Sequence, residues 1–266
     1  MRQAISSCLF VLMCFAFEAV LVPPTSAASS QSGTASAQTL AQGKKLVMSN
    51  GCAGCHNAPG GATLVGGRVI GGWTAPGLTN DKRTGLGNWS AGEIADYLKT
   101  GRNSYAAAAG PMAGIVTNVT AKMSEAEVDA IAAYLKSLPG KAANIRPVAA
   151  SNPAMIRGGA VYADECAACH TLRGVGQARL FPALKGSPEV QADNPTTLLR
   201  VVLQGAQSVG TEAAPTASAM PAFGKLLNDQ QIADVLTYIR NDWGNAAAPV
   251  AKDAVAAARK TLQKTP

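Results

Sequence analysis

The residues with the most chemistry to offer are cysteine and histidine, and they fall into one spacing used twice: Cys52-Ala53-Gly54-Cys55-His56 and Cys166-Ala167-Ala168-Cys169-His170. Two thiols three residues apart can add to the two vinyl groups on one edge of a porphyrin, and a histidine directly behind them can turn beneath the iron. This spacing is the signature of covalent c-type haem attachment. It implies two haem c groups, held by Cys52 and Cys55 and by Cys166 and Cys169. A thioredoxin-type redox pair would need a βαβ setting that the sequence lacks. A four-cysteine zinc site would leave both histidines unexplained.

The histidine count narrows the ligation. His56 and His170 are the only histidines, so both are spent as proximal ligands and bis-histidine coordination is excluded. That argues against diheme peroxidases and multihaem reductases, which draw on further histidines. What remains for the other axial face is methionine or an open position. In the second half Met220, within Ala219-Met220-Pro221-Ala222-Phe223, is the one methionine after the motif. In the first half the candidates are Met112, within Gly110-Pro111-Met112-Ala113, and Met123. Met123 aligns with the packing residue Leu227, so Met112 is the ligand of choice and Met123 the alternative. Met48 and Met155 precede the motifs and read as packing. Pro182 is placed to accept the His170 imidazole N–H, unless it is a plain loop proline. Trp73, Trp89, Tyr97, Tyr105 and Phe181 read equally well as haem-edge or as core residues. A His/Met haem has all six positions filled and a comparatively high potential, which suits electron exchange rather than bond chemistry.

The elements that must hold these groups repeat. Val128, Ile131, Tyr134 and Leu135 coincide with Ile232, Val235, Tyr238 and Ile239 at an offset of 104 residues, and Ile94, Tyr97, Leu98 and Gly101 coincide with Leu198, Val201, Val202 and Gly205. The periodicity is helical, and the sequence shows no convincing alternating strand. Each half therefore reads as an N-terminal helix (40–49; 154–164), the motif, a loop, a middle helix, a second loop and a C-terminal helix. Ser124 with Glu127, and Asn228 with Gln231, form capping-box pairs ahead of the C-terminal helices. The fold class is all-α, two tandem class I-like cytochrome c domains at 39–140 and 154–245, joined by a linker at 141–153.

The ends read differently. A short basic start, an apolar run over 4–22 and the small residues at 25–28 make 1–27 a cleaved secretory signal, with an uncleaved membrane anchor as the rival. Cleavage removes Cys8 and Cys14, so no disulfide can form without sacrificing a haem. Residues 28–38 read as a flexible leader, and 246–266 as a tail whose mildly amphipathic pattern (Val250, Val255, Leu262) suits a frayed surface helix. The net charge is +7, from 23 Lys and Arg against 16 Asp and Glu. It is spread without a basic run or aromatic-interleaved stripe, which argues against nucleic acid and for an acidic protein partner.

Several segments together carry a resemblance: Pro59-Gly60-Gly61, Pro76-Gly77-Leu78-Thr79-Asn80, Thr84-Gly85-Leu86-Gly87-Asn88-Trp89-Ser90, Gly110-Pro111-Met112-Ala113, Ala219-Met220-Pro221-Ala222-Phe223 and Trp243-Gly244-Asn245. With them the chain resembles the cytochrome c subunits of bacterial membrane-associated alcohol, sorbitol and gluconate dehydrogenases and of related molybdenum hydroxylase complexes. The resemblance implies distal methionines at Met112 and Met220. It also implies a periplasmic electron carrier, associated with the inner membrane or free. Its donor would be a partner dehydrogenase, and its acceptor a cytochrome, a quinone-linked site or a terminal oxidase. Those subunits most often carry three haem domains, and this chain matches the last two, so a membrane or quinone role tied to the first does not transfer. The alternatives are a free diheme shuttle to an oxidase, or a haem enzyme acting on peroxide or a sulfur compound after loss of ligation at Met112.

Overall fold

The computed structural model describes residues 35–61, 63–141 and 145–263. The expected signal at 1–27 and most of the leader lie outside the described residues. Helix α1 (Ala37–Ser49) begins three residues ahead of the expected start at Leu40, because the Ser36 hydroxyl accepts the Thr39 N–H and caps the first turn. The first motif forms the one-turn helix α2 (Cys52–His56). A two-residue hairpin follows, β1 (Val69–Ile70) with β2 (Trp73–Thr74), and then helices α3 (Ala91–Thr100), α4 (Gly110–Asn118) and α5 (Glu125–Ser137). The second half repeats the plan with α6 (Pro153–Glu165), α7 (Ala167–His170), α8 (Pro188–Gln191), α9 (Thr196–Gln204), the hairpin β3 (Ala206–Gln207) with β4 (Ala219–Met220), and α10 (Asp229–Ile239). The strands are a departure from a purely helical expectation, but at two residues each they only pin loops. The architecture is all-α.

Both expected capping boxes are formed, Ser124 with Glu127 and Asn228 with Gln231. In each half the N-terminal and C-terminal helices cross at a glycine. A Cβ on Gly43 would overlap the Ala130 carbonyl, and one on Gly158 the Asp234 carbonyl, so backbone meets backbone at both crossings. Around them the first core gathers Val47, Ile94, Leu98, Val128, Ile131 and Leu135. The second gathers Leu199, Val202, Ile232, Val235, Leu236 and Ile239.

The tail is not frayed. Helix α11 (Lys252–Gln263) buries Val255 completely against the second core, with Val250 and Leu262 beside it. Arg259 reaches Asp229 at 2.9 Å and the carbonyls of Leu227 and Gly224. The approach to α11 is fixed by the buried Arg240, whose Nε donates to the Ala248 carbonyl at 3.1 Å and whose Nη1 donates to that of Val190 at 2.9 Å. The apolar spacing in the tail is visible in sequence, but the surface that receives it is tertiary.

The halves are also bonded to one another. Arg83 spans to the Gln191 carbonyl (2.7 Å) and the Asp193 carboxylate (2.8 Å), Arg179 pairs with Asp96 at 2.9 Å, and the Arg200 guanidinium lies 5.5 Å over the Trp73 ring.

Candidate functional site

Each motif occupies a single helical turn, which sets its two cysteines on one side and its histidine at the end of the turn. The histidines are then oriented alike. His56 Nδ1 lies 2.8 Å from the Pro76 carbonyl and His170 Nδ1 lies 3.0 Å from that of Pro182. A carbonyl only accepts, so the proton sits on Nδ1 and the lone pair on Nε2 is left for a metal. Burial pushes both imidazoles below their ordinary pKa, opposed in part by the bond to proline. Both are therefore neutral, the form that ligates.

The supporting loops match in design. The Gly66 N–H returns to the His56 carbonyl at 2.8 Å, and the Gly176 N–H to that of His170 at 3.0 Å. The chain then turns back through Pro76-Gly77-Leu78 in one half and Pro182-Ala183-Leu184 in the other. Leu78 donates to the Leu64 carbonyl and Leu184 to that of Gly174, both at 2.8 Å. Sequence reasoning singles out Pro182 and misses Pro76. The loops differ in length, placing the acceptor 20 residues after His56 but 12 after His170, and the hairpin β1–β2 lies in the longer one. The shared Pro-x-Leu was the signal that could have found it.

The thiols speak against the rival chemistries. Burial raises the Cys52 pKa, with Cys55 adding to it against a backbone hydrogen bond. Burial first, then Glu165 and Cys169, pushes Cys166 up to about 11. A thiol-exchange pair needs a depressed pKa, and these thiols stay protonated at neutral pH. All four are free. Among the described residues no three Cys, His, Asp or Glu side chains converge on a metal-sized position, so the four cysteines do not assemble a zinc site. Haem fits the donor set: a thiol pair to add across vinyl groups and an imidazole with Nε2 held free. Apolar side chains for a macrocycle to cover follow each motif, with Val65 and Val69 exposed after the first and Leu172, Val175 and Leu180 after the second.

Met220 lies on β4 opposite Ala206, half-buried against the second core beside Phe223. Met112 lies in the first turn of α4, where a loop was expected, half-buried against the first core that Cys52 and Tyr105 also border. Met123 borders the same core, and its carbonyl accepts from Lys99 Nζ at 2.6 Å. Met155 is buried as expected, but Met48 is 56% exposed, which corrects its reading as packing; it lies on the outer side of α1. Trp89 stacks on Tyr105 at 5.9 Å and meets Tyr97 edge-on at 5.5 Å, while Phe181 is half-buried.

The chain matches the cytochrome c family model at residues 40–139 and 155–243. It is 40% identical over 234 residues to the cytochrome c subunit of the quinone-dependent alcohol dehydrogenase of Komagataeibacter europaeus, covering 78% of this chain and 50% of that protein. It is 38% identical to the gluconate 2-dehydrogenase cytochrome c subunit of Pantoea cypripedii, over 83% of this chain and 56% of the relative. It is 32% identical to the fructose dehydrogenase cytochrome subunit of Gluconobacter japonicus, over 81% and 51%. The chain thus spans about half the length of these relatives.

Proposed function

The chain belongs to the cytochrome c family, and from that premise we propose that it is a periplasmic diheme electron carrier that accepts electrons from a partner dehydrogenase. It passes them to a downstream cytochrome, a quinone-linked site or a terminal oxidase. Cys52 and Cys55, and Cys166 and Cys169, would carry the two haems, and His56 with Met112, and His170 with Met220, would hold their irons. Bound haem supplies the one-electron couple. The protein's part is to hold each imidazole in the Nδ1–H tautomer with Nε2 free, and to keep each thioether in place.

One observation carries the reading: two independent loops, of different length, each deliver a proline carbonyl to the Nδ1 of the motif histidine. Repetition of that detail on two scaffolds is what a common metal-ligating role requires. The dehydrogenase partner is supported by the names of the relatives, each a cytochrome subunit of such an enzyme. Among the described residues no helix is long and apolar enough to cross a membrane.

The test is an optical spectrum of the haem-loaded protein in both redox states. Two equivalents of the weak band that methionine gives ferric haem, without high-spin absorption, are expected. A single equivalent, or high-spin haem, would overturn the pure-carrier reading in favour of an open iron. The donor is tested by mixing the protein with a candidate haem-free dehydrogenase subunit and its substrate, where substrate-dependent reduction is expected and no reduction would speak against the dehydrogenase partner.

A further inference from the structure

We infer that the first half of the chain holds the methionine loop of the second half in its ligating position, with Arg102 as the positioning residue. The inference rests on the reading of Met220 as an iron ligand.

Met220 is the last residue of a hairpin whose connecting segment, 208–218, is built from Ser, Thr, Ala, Gly, Pro and one Glu, with Val209 its single large apolar residue. Its internal ties are sparse. Ser208 donates through its N–H and its hydroxyl to the Ser218 carbonyl, each at 2.9 Å, with the two hydroxyls 3.2 Å apart, and Thr211 and Ala214 exchange backbone bonds at 3.0 and 3.1 Å. A segment with so little buried apolar surface sits at the low end of local stability, so its order has to come from outside.

Arg102 supplies it. The residue follows α3 and is 7% exposed, and every hydrogen bond of its guanidinium crosses into the second half. Nη2 donates to the Ala214 carbonyl at 2.8 Å, to that of Thr216, and at longer range to that of Val209 (3.4 Å); Nη1 reaches the Arg179 carbonyl at 3.4 Å. Among the described residues no carboxylate pairs with Arg102. A buried cation must be compensated by what touches it, and here that is chiefly the row of three carbonyls in this loop, with the Arg179 carbonyl beside it; among the described residues Nε has no partner. Neighbouring residues of the first half extend the grip: the Val209 N–H donates to the Ala108 carbonyl at 3.2 Å, and the Thr211 hydroxyl to that of Thr100 at 3.5 Å.

The proximal side is tied to the same segment. Ala183, next to the Pro182 that orients His170, donates its N–H to the Ser104 carbonyl at 3.1 Å. Residues 100–108 thus brace the supports of both axial positions of the second site. Because among the described residues the Arg102 guanidinium bonds to nothing in its own half, its loss acts on the second haem and spares the first.

The test uses the haem-loaded protein with Arg102→Ala, and Arg102→Gln should the alanine variant fail to accumulate, beside Met220→Ala. The readouts are the methionine-to-iron band, the two potentials, and amide hydrogen exchange across 206–220. In the Arg102 variants the second site's share of the band falls, one potential drops while the other holds, and exchange in 208–218 accelerates by about tenfold or more. A full band with both potentials unchanged in the Arg102 variants, while Met220→Ala loses its band, overturns the inference. Equal disturbance of both haems does so as well, since it denies the one-sided action. A spectrum unchanged by Met220→Ala instead overturns the ligand reading on which the inference stands.

Discussion

The backbone N–H of Thr74, in the first half, donates to the Thr197 hydroxyl of the second at 2.7 Å, with both residues buried. Thr74 stands two residues ahead of Pro76, so this bond fastens the turn that delivers the acceptor for His56. The Glu189 carboxyl is near enough for the same hydroxyl to favour its charged form. Thr197 thus ties the second half to the backbone directly behind the proximal support of the first site.

Thr197→Val keeps the shape and removes the oxygen. The Thr74 N–H is then buried without an acceptor, at a cost of about 1–3 kcal/mol, readable as a lowered denaturation midpoint. Thr197→Ser restores the hydroxyl and should recover most of the loss. Equal midpoints for the serine and valine variants would show that the hydrogen bond contributes nothing.

Glu189 gives the protein a pH dependence of calculable sign. Burial, opposed by the Thr197 hydroxyl, raises its carboxyl to about 8, and its Oε2 is buried without a partner among the described residues. It faces Tyr97, whose phenol burial and then the Glu189 charge push well above the ordinary range. The folded state therefore holds a proton that the unfolded chain releases near its ordinary value of 4.5. The unfolded state binds fewer protons between those limits, so this group's contribution to stability declines as pH rises from about 4.5 to about 8 and is flat outside that window. Glu189→Gln should match the native protein in acid and exceed it in stability above pH 8. Parallel stability curves at all pH values would show that the carboxyl titrates normally.

The crossing of α6 and α10 is set by a missing side chain. A methyl group on Gly158 would overlap the Asp234 carbonyl and approach Tyr238 Cβ, so Gly158→Ala must push the helices apart, at a cost of about 1–3 kcal/mol from overpacking. Gly43→Ala does the same at α1 and α5 against Ala130 and Tyr134. The two sites share no partners, so the double variant should lose the sum of the single losses within about 0.5 kcal/mol. Chemical denaturation checks both numbers, and an alanine tolerated at either crossing would refute the close-approach account.

What the sequence displays and what it hides divide along the range of the interaction. Caps at Ser124 and Asn228, the glycine stops at Gly101 and Gly205 and the paired helix faces depend on neighbours within a few residues, and they are legible. Helix α4 is hidden because Gly110-Pro111 reads as a breaker, although proline is at home in a first turn. Pro76 is hidden because its loop is longer than its counterpart. The seat of α11 on Val255 and the cross-half bonds of Arg102 and Thr197 join residues far apart in sequence, and no local pattern announces them.

Met112 and Met123 present the sharpest remaining choice, and their local structures predict different consequences. Both are half-buried against one core, so burial does not separate them. Met123 closes a 3₁₀ turn (Thr120–Lys122) and gives its carbonyl to Lys99, backbone work that any residue can do, and its thioether fills space as the matching Leu227 does in the other half. Met123→Leu should therefore be silent, and Met123→Ala should cost about 2–3 kcal/mol of stability with the optical spectrum intact. Met112 follows Gly110, whose Cα lies so close to the Trp73 ring that a Cβ would overlap it, and Trp73 is itself covered by Arg200 of the second half. That stacking fixes the start of α4 and hence the position of Met112, a degree of control that a core side chain does not need. Met112→Leu should preserve volume and stability yet abolish the first haem's methionine band and lower its potential. Should Met123→Leu remove the band and Met112→Leu keep it, the assignment is reversed and the ligand sits at the turn before α5.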